Sequence, residues 1–145
     1  AFHAFCQWLA DASLGAAQRA AREAGMPVGL IADLAVGTDG GGSHAWSRQA
    51  EILPDLSVGA PPDIFSPLGQ DWGLTAFSPL AMRAAGFAAF RELLTSNLRH
   101  AGGLRVDHAM GLQRLWVVPR GAGAADGAYL RYPVDDLLRL LALES

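Results

Sequence analysis

A charged tetrapeptide, Arg105-Val106-Asp107-His108, has the residue types that point most directly to chemistry in this chain. It follows a Gly-Gly break and alternates apolar and charged residues, which predicts a short β-strand over 104–108. Residues i and i+2 of a strand face the same way, so Arg105 and Asp107 share one side. A neighbouring guanidinium favours the ionised form of a carboxylate, which suits a nucleophile or a transition-state stabiliser. The spacing alone favours a structural ion pair at a strand end.

A second group of polar and aromatic residues lies between residues 53 and 79, a segment rich in proline and glycine. The segment shows no steady period, which predicts one long loop, and long loops with aromatic residues are often functional. Asp63, Gln70 and Trp72 offer a carboxylate, an amide and an indole that could hydrogen-bond to a sugar or another polar ring and stack on it. The alternative is a rigid Pro-Pro corner with Trp72 packed in the core.

The glycine-rich segment 37–42 follows a predicted strand and raises the possibility of a phosphate cradle in a nucleotide-binding domain. Its spacing matches neither GxGxxG nor a Walker loop, and the chain contains no lysine, so a flexible turn is the favoured interpretation. His3, His44 and His100 are scattered without metal-ligand spacing, and Cys6 has no CxxC partner. We therefore expect no metal and no cofactor.

Composition limits the class of protein. The chain has 145 residues, of which 51% are hydrophobic and 17% charged, and this excludes intrinsic disorder. No run approaches the roughly 18 apolar residues of a membrane span. With 11 basic and 14 acidic residues a nucleic-acid partner is not expected either. We expect a cytoplasmic domain, and the low charged fraction together with a first residue, Ala1, that is not methionine favours a piece of a larger protein.

The order of predicted elements indicates an α/β fold. Helical periodicity covers residues 2–24, the stretch from about Leu80 to Leu98, and a closing helix after Pro133. Short apolar runs at 28–36 and 104–108 predict strands. Alternation of helices and strands predicts a parallel sheet with helices packed outside it, although only two clear strands are found.

Several longer strings carry a family resemblance when they are taken together in chain order. They are Asp33-Leu34-Ala35-Val36-Gly37, Gly59-Ala60-Pro61-Pro62-Asp63, Gly69-Gln70-Asp71-Trp72-Gly73-Leu74, Leu104-Arg105-Val106-Asp107-His108, Tyr132-Pro133-Val134-Asp135-Asp136-Leu137-Leu138 and Leu141-Ala142-Leu143-Glu144-Ser145. The ordered set resembles the 4-α-glucanotransferases, or amylomaltases, of glycoside hydrolase family 77, and it covers essentially the whole chain.

The resemblance implies a (β/α)8 barrel that transfers segments of α-1,4-glucan between maltooligosaccharides with retention of configuration. It implies that Asp107 is the nucleophile, that Arg105 orients it, and that His108 contacts the sugar in the donor site. It also implies that the glucan is covered by one loop, whose matching residues are Asp63, Phe65, Gln70, Trp72 and Gly73. Residues 1–145 would then be the central part of the catalytic barrel, about its third and fourth strands, truncated at both ends.

One part of the family pattern has no match in this sequence. Retaining transfer needs a second carboxylate about 5–5.5 Å from the nucleophile, acting first as acid and then as base. In the family that glutamate belongs to a Gly-Glu-Asp-Leu-Gly motif, and Glu144 does not replace it because it ends a predicted helix. We therefore expect residues 1–145 to be inactive alone and to associate through uncovered apolar strands. The alternative function is binding of α-glucan by the Trp72 loop without turnover.

Overall fold

The computed structural model describes residues 1–145 as an α/β chain with two separate sheets. The five helices are α1 (Phe2–Glu23), α2 (Ser43–Ser47), α3 (Pro79–Ala84), α4 (Ala88–Leu98) and α5 (Val134–Glu144). The seven strands are β1 (Ile31–Leu34), β2 (Thr38–Asp39), β3 (Ile52–Ala60), β4 (Gln70–Phe77), β5 (Gly103–Val106), β6 (Arg114–Pro119) and β7 (Ala128–Arg131).

The first sheet is a parallel pair of β1 and β5, and it confirms the parallel pairing predicted for the two apolar runs. Both strands are shorter than expected, because the regular ladder covers only 31–34 and 103–106. In this register Asp33 lies opposite Arg105. Gly102 has to be glycine at the entry to β5, because a Cβ there would lie 1.9 Å from the carbonyl oxygen of Val28.

The second sheet is antiparallel, with the strand order β2-β4-β3-β6-β7, and the sequence did not predict it. The expectation of one long loop over 53–79 is wrong, since β3 and β4 form a hairpin joined by residues 61–69. Pro54 lies where the β3–β4 pairing is irregular, and Pro61 and Pro62 follow the last residue of β3. Proline is tolerated at such positions, and the shifted register removes the regular alternation by which strands are found.

The single helix expected from about Leu80 to Leu98 is divided into α3 and α4. Gly86 and Phe87 separate them, and both have φ of 61°, which no α-helix can contain. The Ser78 hydroxyl accepts the Ala81 N–H at the start of α3, and Pro79 occupies the first turn, where its missing N–H costs nothing. The predicted helix at 2–24 and the closing helix after Pro133 are confirmed as α1 and α5.

The core lies where the two sheets meet α3, α4 and α5. Its largest fully buried side chains are Met82, Leu94, Leu137, Val58 and Val118. Only 17 of the 145 residues are buried, so the chain leaves much apolar surface open. No helix has the length and apolar character needed to cross a membrane.

Helix α1 is attached to the rest of the chain mainly through polar contacts. Asp11 accepts hydrogen bonds from Arg99 and faces the ring of His100, and Gln18 accepts the N–H of Leu30. The hydrogen bonds with His100 and Arg99 lower the pKa of the Asp11 carboxyl, and the one with His100 has the largest effect. Large apolar side chains of its first turns, including Phe2 and Trp8, remain exposed.

We predict that Tyr132→Phe destabilises the chain by about 1 kcal/mol, the usual net value of a hydrogen bond in a protein interior. Tyr132 is buried, and its hydroxyl donates to the carbonyl oxygen of Phe77 at 2.7 Å, tying the entry of α5 to the end of β4. Denaturant unfolding measures the loss. Tyr129→Phe is the matched control, because Tyr129 is exposed and its hydroxyl makes no hydrogen bond within the chain. Equal stability of both variants would contradict this role.

Candidate active site

Asp107 and His108 stand at the carboxyl end of the parallel pair. The Asp107 N–H donates to the Leu34 carbonyl at 3.2 Å, so the β1–β5 ladder continues by one bond beyond the regular strands. His108 then takes the left-handed conformation, with φ 46° and ψ 54°. A non-glycine residue rarely adopts these angles, and where such backbone strain occurs it is often at functional sites.

Trp72 of β4 meets His108 across the gap between the two sheets. The two rings are T-shaped, with centroids 5.4 Å apart and planes at 87°. The Trp72 indole N–H donates to the Gln70 side-chain oxygen at 2.9 Å, which fixes the orientation of the indole from its own strand. The two motifs that the sequence singled out separately, one in each sheet, therefore meet at this point.

Trp72 and His108 line an open cleft of about 480 Å³ between the sheets. Its walls are formed by Ala35, Val36, Trp72, Leu74, Asp107 and His108. The cleft presents one carboxylate, one imidazole and one indole against apolar walls, a combination suited to a polar ring with an apolar face. Trp72 is half-buried, so it both packs against the core and faces the cleft.

Arg105 pairs with Asp33 across the parallel strands rather than hydrogen-bonding to Asp107. Its Nε and Nη2 atoms donate to the two oxygens of Asp33, each at 2.7 Å. These hydrogen bonds and the charge of Asp33 raise the pKa of the Arg105 guanidinium, and the charge of Asp107 adds a smaller effect in the same direction. Both side chains are more than half exposed, so the pair contributes more to orientation than to stability.

Sequence reasoning missed Asp33 as a site residue, although it lay in one of the matching strings. The available signal was the prediction of two parallel strands with an acidic residue in one and a basic residue in the other. Only the register turns that signal into a contact, and the two residues are 72 positions apart in the chain.

The predicted site residues in the loop 61–69 lie outside the cleft. Asp63 Oδ1 accepts the N–H groups of Phe65 at 2.8 Å and Ser66 at 2.6 Å, so this carboxylate closes the turn of its own loop. Phe65 is 89% exposed at the tip. Neither Asp63 nor Phe65 lines the cleft, whereas Trp72 does and Gln70 bonds to it.

Gly73 has φ of 68° and lies at an irregularity in the register of the β3–β4 pairing, between Asp71 and Leu74. Its N–H donates to Asp71 Oδ1 at 3.0 Å, and the Ser57 hydroxyl of β3 donates to the same carboxylate. The Ser57 hydroxyl, and after it the Gly73 N–H, hold the pKa of the Asp71 carboxyl below its usual value. This carboxylate therefore secures the hairpin next to Trp72.

The side chains of His, Cys, Asp and Glu form no group of three or more that could hold a metal ion. The chemistry of the cleft rests on its carboxylate, imidazole and indole. A carboxylate at the carboxyl end of parallel strands is the arrangement of active sites in α/β enzymes with barrel folds.

Comparison with known proteins names the family. A family model described as 4-alpha-glucanotransferase, glycoside hydrolase family 77, matches residues 1–145. The chain is 44% identical over 144 residues to the 4-alpha-glucanotransferase of Haemophilus influenzae and 43% identical over 144 residues to that of Mycobacterium tuberculosis, covering 99% of this chain in both cases. The chain belongs to the 4-alpha-glucanotransferase family, and the resemblance read from its motifs is confirmed.

Solved structures agree with this assignment. The amylomaltase of Corynebacterium glutamicum superposes with a TM-score of 0.90 at 46% identity, covering 97% of this chain and 20% of that one. An amylomaltase of Streptococcus agalactiae in complex with acarbose shares the fold with a TM-score of 0.71 at 24% identity, covering 79% of this chain and 25% of that one. The Haemophilus and Mycobacterium relatives are matched over 21% and 20% of their length. The chain thus spans about a fifth of the proteins it resembles.

We predict that Ser57→Ala raises the pKa of the Asp71 carboxyl towards its usual value, because the largest stabilising contact of the charged form is removed. A depressed carboxyl pKa contributes stability above the ordinary aspartate pKa, and this contribution is lost as the pH falls through the folded-state pKa. The variant should therefore lose less stability on acidification. Carboxyl-carbon NMR titration measures the pKa. Ser43→Ala is the control, since Ser43 is exposed and its hydroxyl makes no hydrogen bond within the chain.

Proposed function

We propose that the protein to which this chain belongs transfers segments of α-1,4-glucan between oligosaccharides, with Asp107 as the nucleophile of a retaining double displacement. The observation that carries the proposal is the position of Asp107: it ends the parallel pair and lines the cleft together with His108 and Trp72. Membership of the 4-alpha-glucanotransferase family supports the reaction class.

In the first step the Asp107 carboxylate attacks the anomeric carbon of the donor glucan, and the bond to the leaving sugar breaks. The leaving oxygen takes a proton from a carboxylic acid on the opposite side of the bond. In the second step that group, now a carboxylate, removes the proton of an acceptor hydroxyl, which attacks the anomeric carbon and releases Asp107. Two inversions at one carbon give net retention of configuration.

The acid/base carboxylate comes, in this proposal, from outside residues 1–145. Asp107 is the one carboxylate that lines the cleft. Glu144, the carboxylate at the end of α5, forms an ion pair with Arg91 of α4 and is engaged away from the cleft.

Arg105 acts on the nucleophile through its position. Asp33 accepts two hydrogen bonds from one edge of the guanidinium, Nε and Nη2, so the positive charge has a fixed location two residues along the chain from Asp107. The guanidinium thereby presents a fixed positive charge near the residue proposed to attack. Asp33 and Arg105 are positioning residues in this scheme.

The remaining contacts to the glucan come from the hairpin and from His108. His108 faces the donor sugar, and Trp72, oriented by Gln70, offers an indole edge beside it. Gly73, with its positive φ, permits the irregularity in β4 that follows this indole. The loop closed by Asp63 carries the exposed ring of Phe65 over the acceptor side and shields the glycosyl-enzyme from water.

We place the parallel pair as two neighbouring strands of a (β/α)8 barrel, the central segment of the catalytic domain. β1 and β5 pair only with each other, so each has one free edge. An apolar groove of about 670 Å³ lies beside β5 and the end of α5, where a further parallel strand fits. Residues 1–145 alone would cover these edges and the exposed apolar side chains of α1 by self-association.

A segment exchange tests the nucleophile. Residues 1–145 replace the matching segment of the Haemophilus influenzae relative, and release of glucose from maltotriose measures transfer. Asp107→Asn should lower kcat by about three orders of magnitude or more, because the covalent route is lost. Asp55→Asn is the matched control on the exposed part of β3 and should leave the rate unchanged. An Asp107→Asn hybrid that retains transfer contradicts the assignment.

A covalent trap identifies the attacked residue directly. Fluoride leaves without help from an acid, so α-maltosyl fluoride should label the nucleophile even where the acid/base group is absent. Intact mass and peptide mapping of residues 1–145 should then show a maltosyl group on Asp107. A maltosyl group on a different carboxylate would overturn this assignment.

The role of Asp33 has its own prediction in the same hybrid. Asp33→Asn removes the charge that fixes Arg105, and misplacement of a catalytic group typically costs about a hundredfold in rate. We expect kcat to fall by up to that amount with little change in KM, since neither residue lines the cleft. Asp39→Asn, at an exposed carboxylate bonded only to the Gly41 N–H, is the control. A change confined to KM would show that Asp33 binds substrate instead.

A further inference from the structure

A second cluster of charged and aromatic side chains lies on β6 and β7, away from the cleft. Arg114 of β6 is directly opposite Arg131 of β7, and Trp116 is directly opposite Tyr129. Residues paired in this way in antiparallel strands project from the same face, and so do residues two apart on one strand. The four side chains therefore form one patch, which we call the β6–β7 patch.

Two arginines in directly opposite positions repel each other, an arrangement that destabilises an antiparallel pair. Neither Arg114 nor Arg131 makes an ion pair. Most other arginines of the chain have a carboxylate partner: Arg48, Arg83, Arg91, Arg99, Arg105 and Arg139. The patch thus holds two uncompensated positive charges side by side on an exposed surface.

The aromatic residues hold the patch in a defined shape. The Trp116 indole N–H donates to the carbonyl oxygen of Ala124 at 2.9 Å, and its ring contacts that of Tyr129 edge to face, with centroids 5.1 Å apart. The Arg114 guanidinium lies over the Tyr129 ring, 4.7 Å from its centroid. A guanidinium stacked on a ring keeps its N–H groups at the edges free to donate. The Tyr129 hydroxyl, which has no partner in the chain, is a further donor.

We propose that the β6–β7 patch is a binding site for a phosphoryl group, free or carried on a small molecule. The patch offers two guanidiniums and a phenol hydroxyl, and it contains no carboxylate. A phosphoryl group carries a charge of about −1.5 to −2 near neutral pH, which matches two guanidiniums, and its oxygens suit the donor forks of arginine. A single carboxylate would neutralise only one of the two charges. The site does not depend on the function proposed for the cleft.

The test is an NMR titration of ¹⁵N-labelled residues 1–145 with inorganic phosphate and with methyl phosphate, at constant ionic strength. We expect saturable shifts of the arginine Nε–H and backbone signals of Arg114, Tyr129 and Arg131 with either probe. Tighter binding of methyl phosphate would indicate an ester as the ligand, and equal binding would indicate free phosphate. Acetate should bind at least about tenfold more weakly, because one charge-assisted interaction is missing.

The variants separate a built site from general charge attraction. Arg131→Gln and Arg114→Gln should each weaken phosphate binding about tenfold, the effect of losing a hydrogen bond to a charged group. Arg19→Gln is the matched control, because Arg19 is also exposed, makes no ion pair and lies on α1. Each of the three variants loses one positive charge, so they differ only in where that charge was. Equal weakening by Arg19→Gln, shifts that do not saturate, or acetate binding as tightly as phosphate would each overturn the proposal.

Discussion

The parallel register of β1 and β5 is the constraint on which the rest of the site depends. It sets Asp33 opposite Arg105 and extends through the bond from the Asp107 N–H to Leu34. A slip of one residue between the strands would turn Asp33 to the other face of the sheet and separate its carboxylate from the Arg105 guanidinium. Two short strands of four residues each thereby hold the Arg105 guanidinium against Asp33, two residues along the chain from Asp107.

The antiparallel sheet contributes the opposite wall, and one aromatic contact joins the two sheets at the cleft. Trp72 extends from β4 to the ring of His108, whose left-handed backbone turns it away from the line of β5. The indole is oriented from its own strand by Gln70. The Asp71 carboxylate, bonded to Ser57 and Gly73, fastens the same hairpin. The position of the indole therefore depends on hairpin contacts that never touch the cleft.

The features that could be predicted are those determined by the local sequence. Periodicity found α1, α5 and the two parallel strands, and the ordered motifs found the family and the residues now seen at the cleft. The β3–β4 hairpin was not predicted because its register shifts and flanking prolines remove the regular alternation by which a strand is recognised. The break at Phe87 was not predicted because a phenylalanine does not signal a positive φ, and its side chain packs against the core like that of a helical residue. Asp33 was not predicted as a site residue because its partner is determined by the strand register, which is a long-range property.

The cleft contains a single carboxylate, that of Asp107. A retaining transfer divides its work between an ionised nucleophile and a group that alternates between acid and base. The Arg105 charge lies two residues along the chain from Asp107, and no second carboxylate lines the cleft. In the mechanism proposed above, such a half-site supplies the attacking group but not the proton for the leaving sugar. In that mechanism the sugar lies between the two carboxylates, so the second carboxylate would enter from the open side of the cleft.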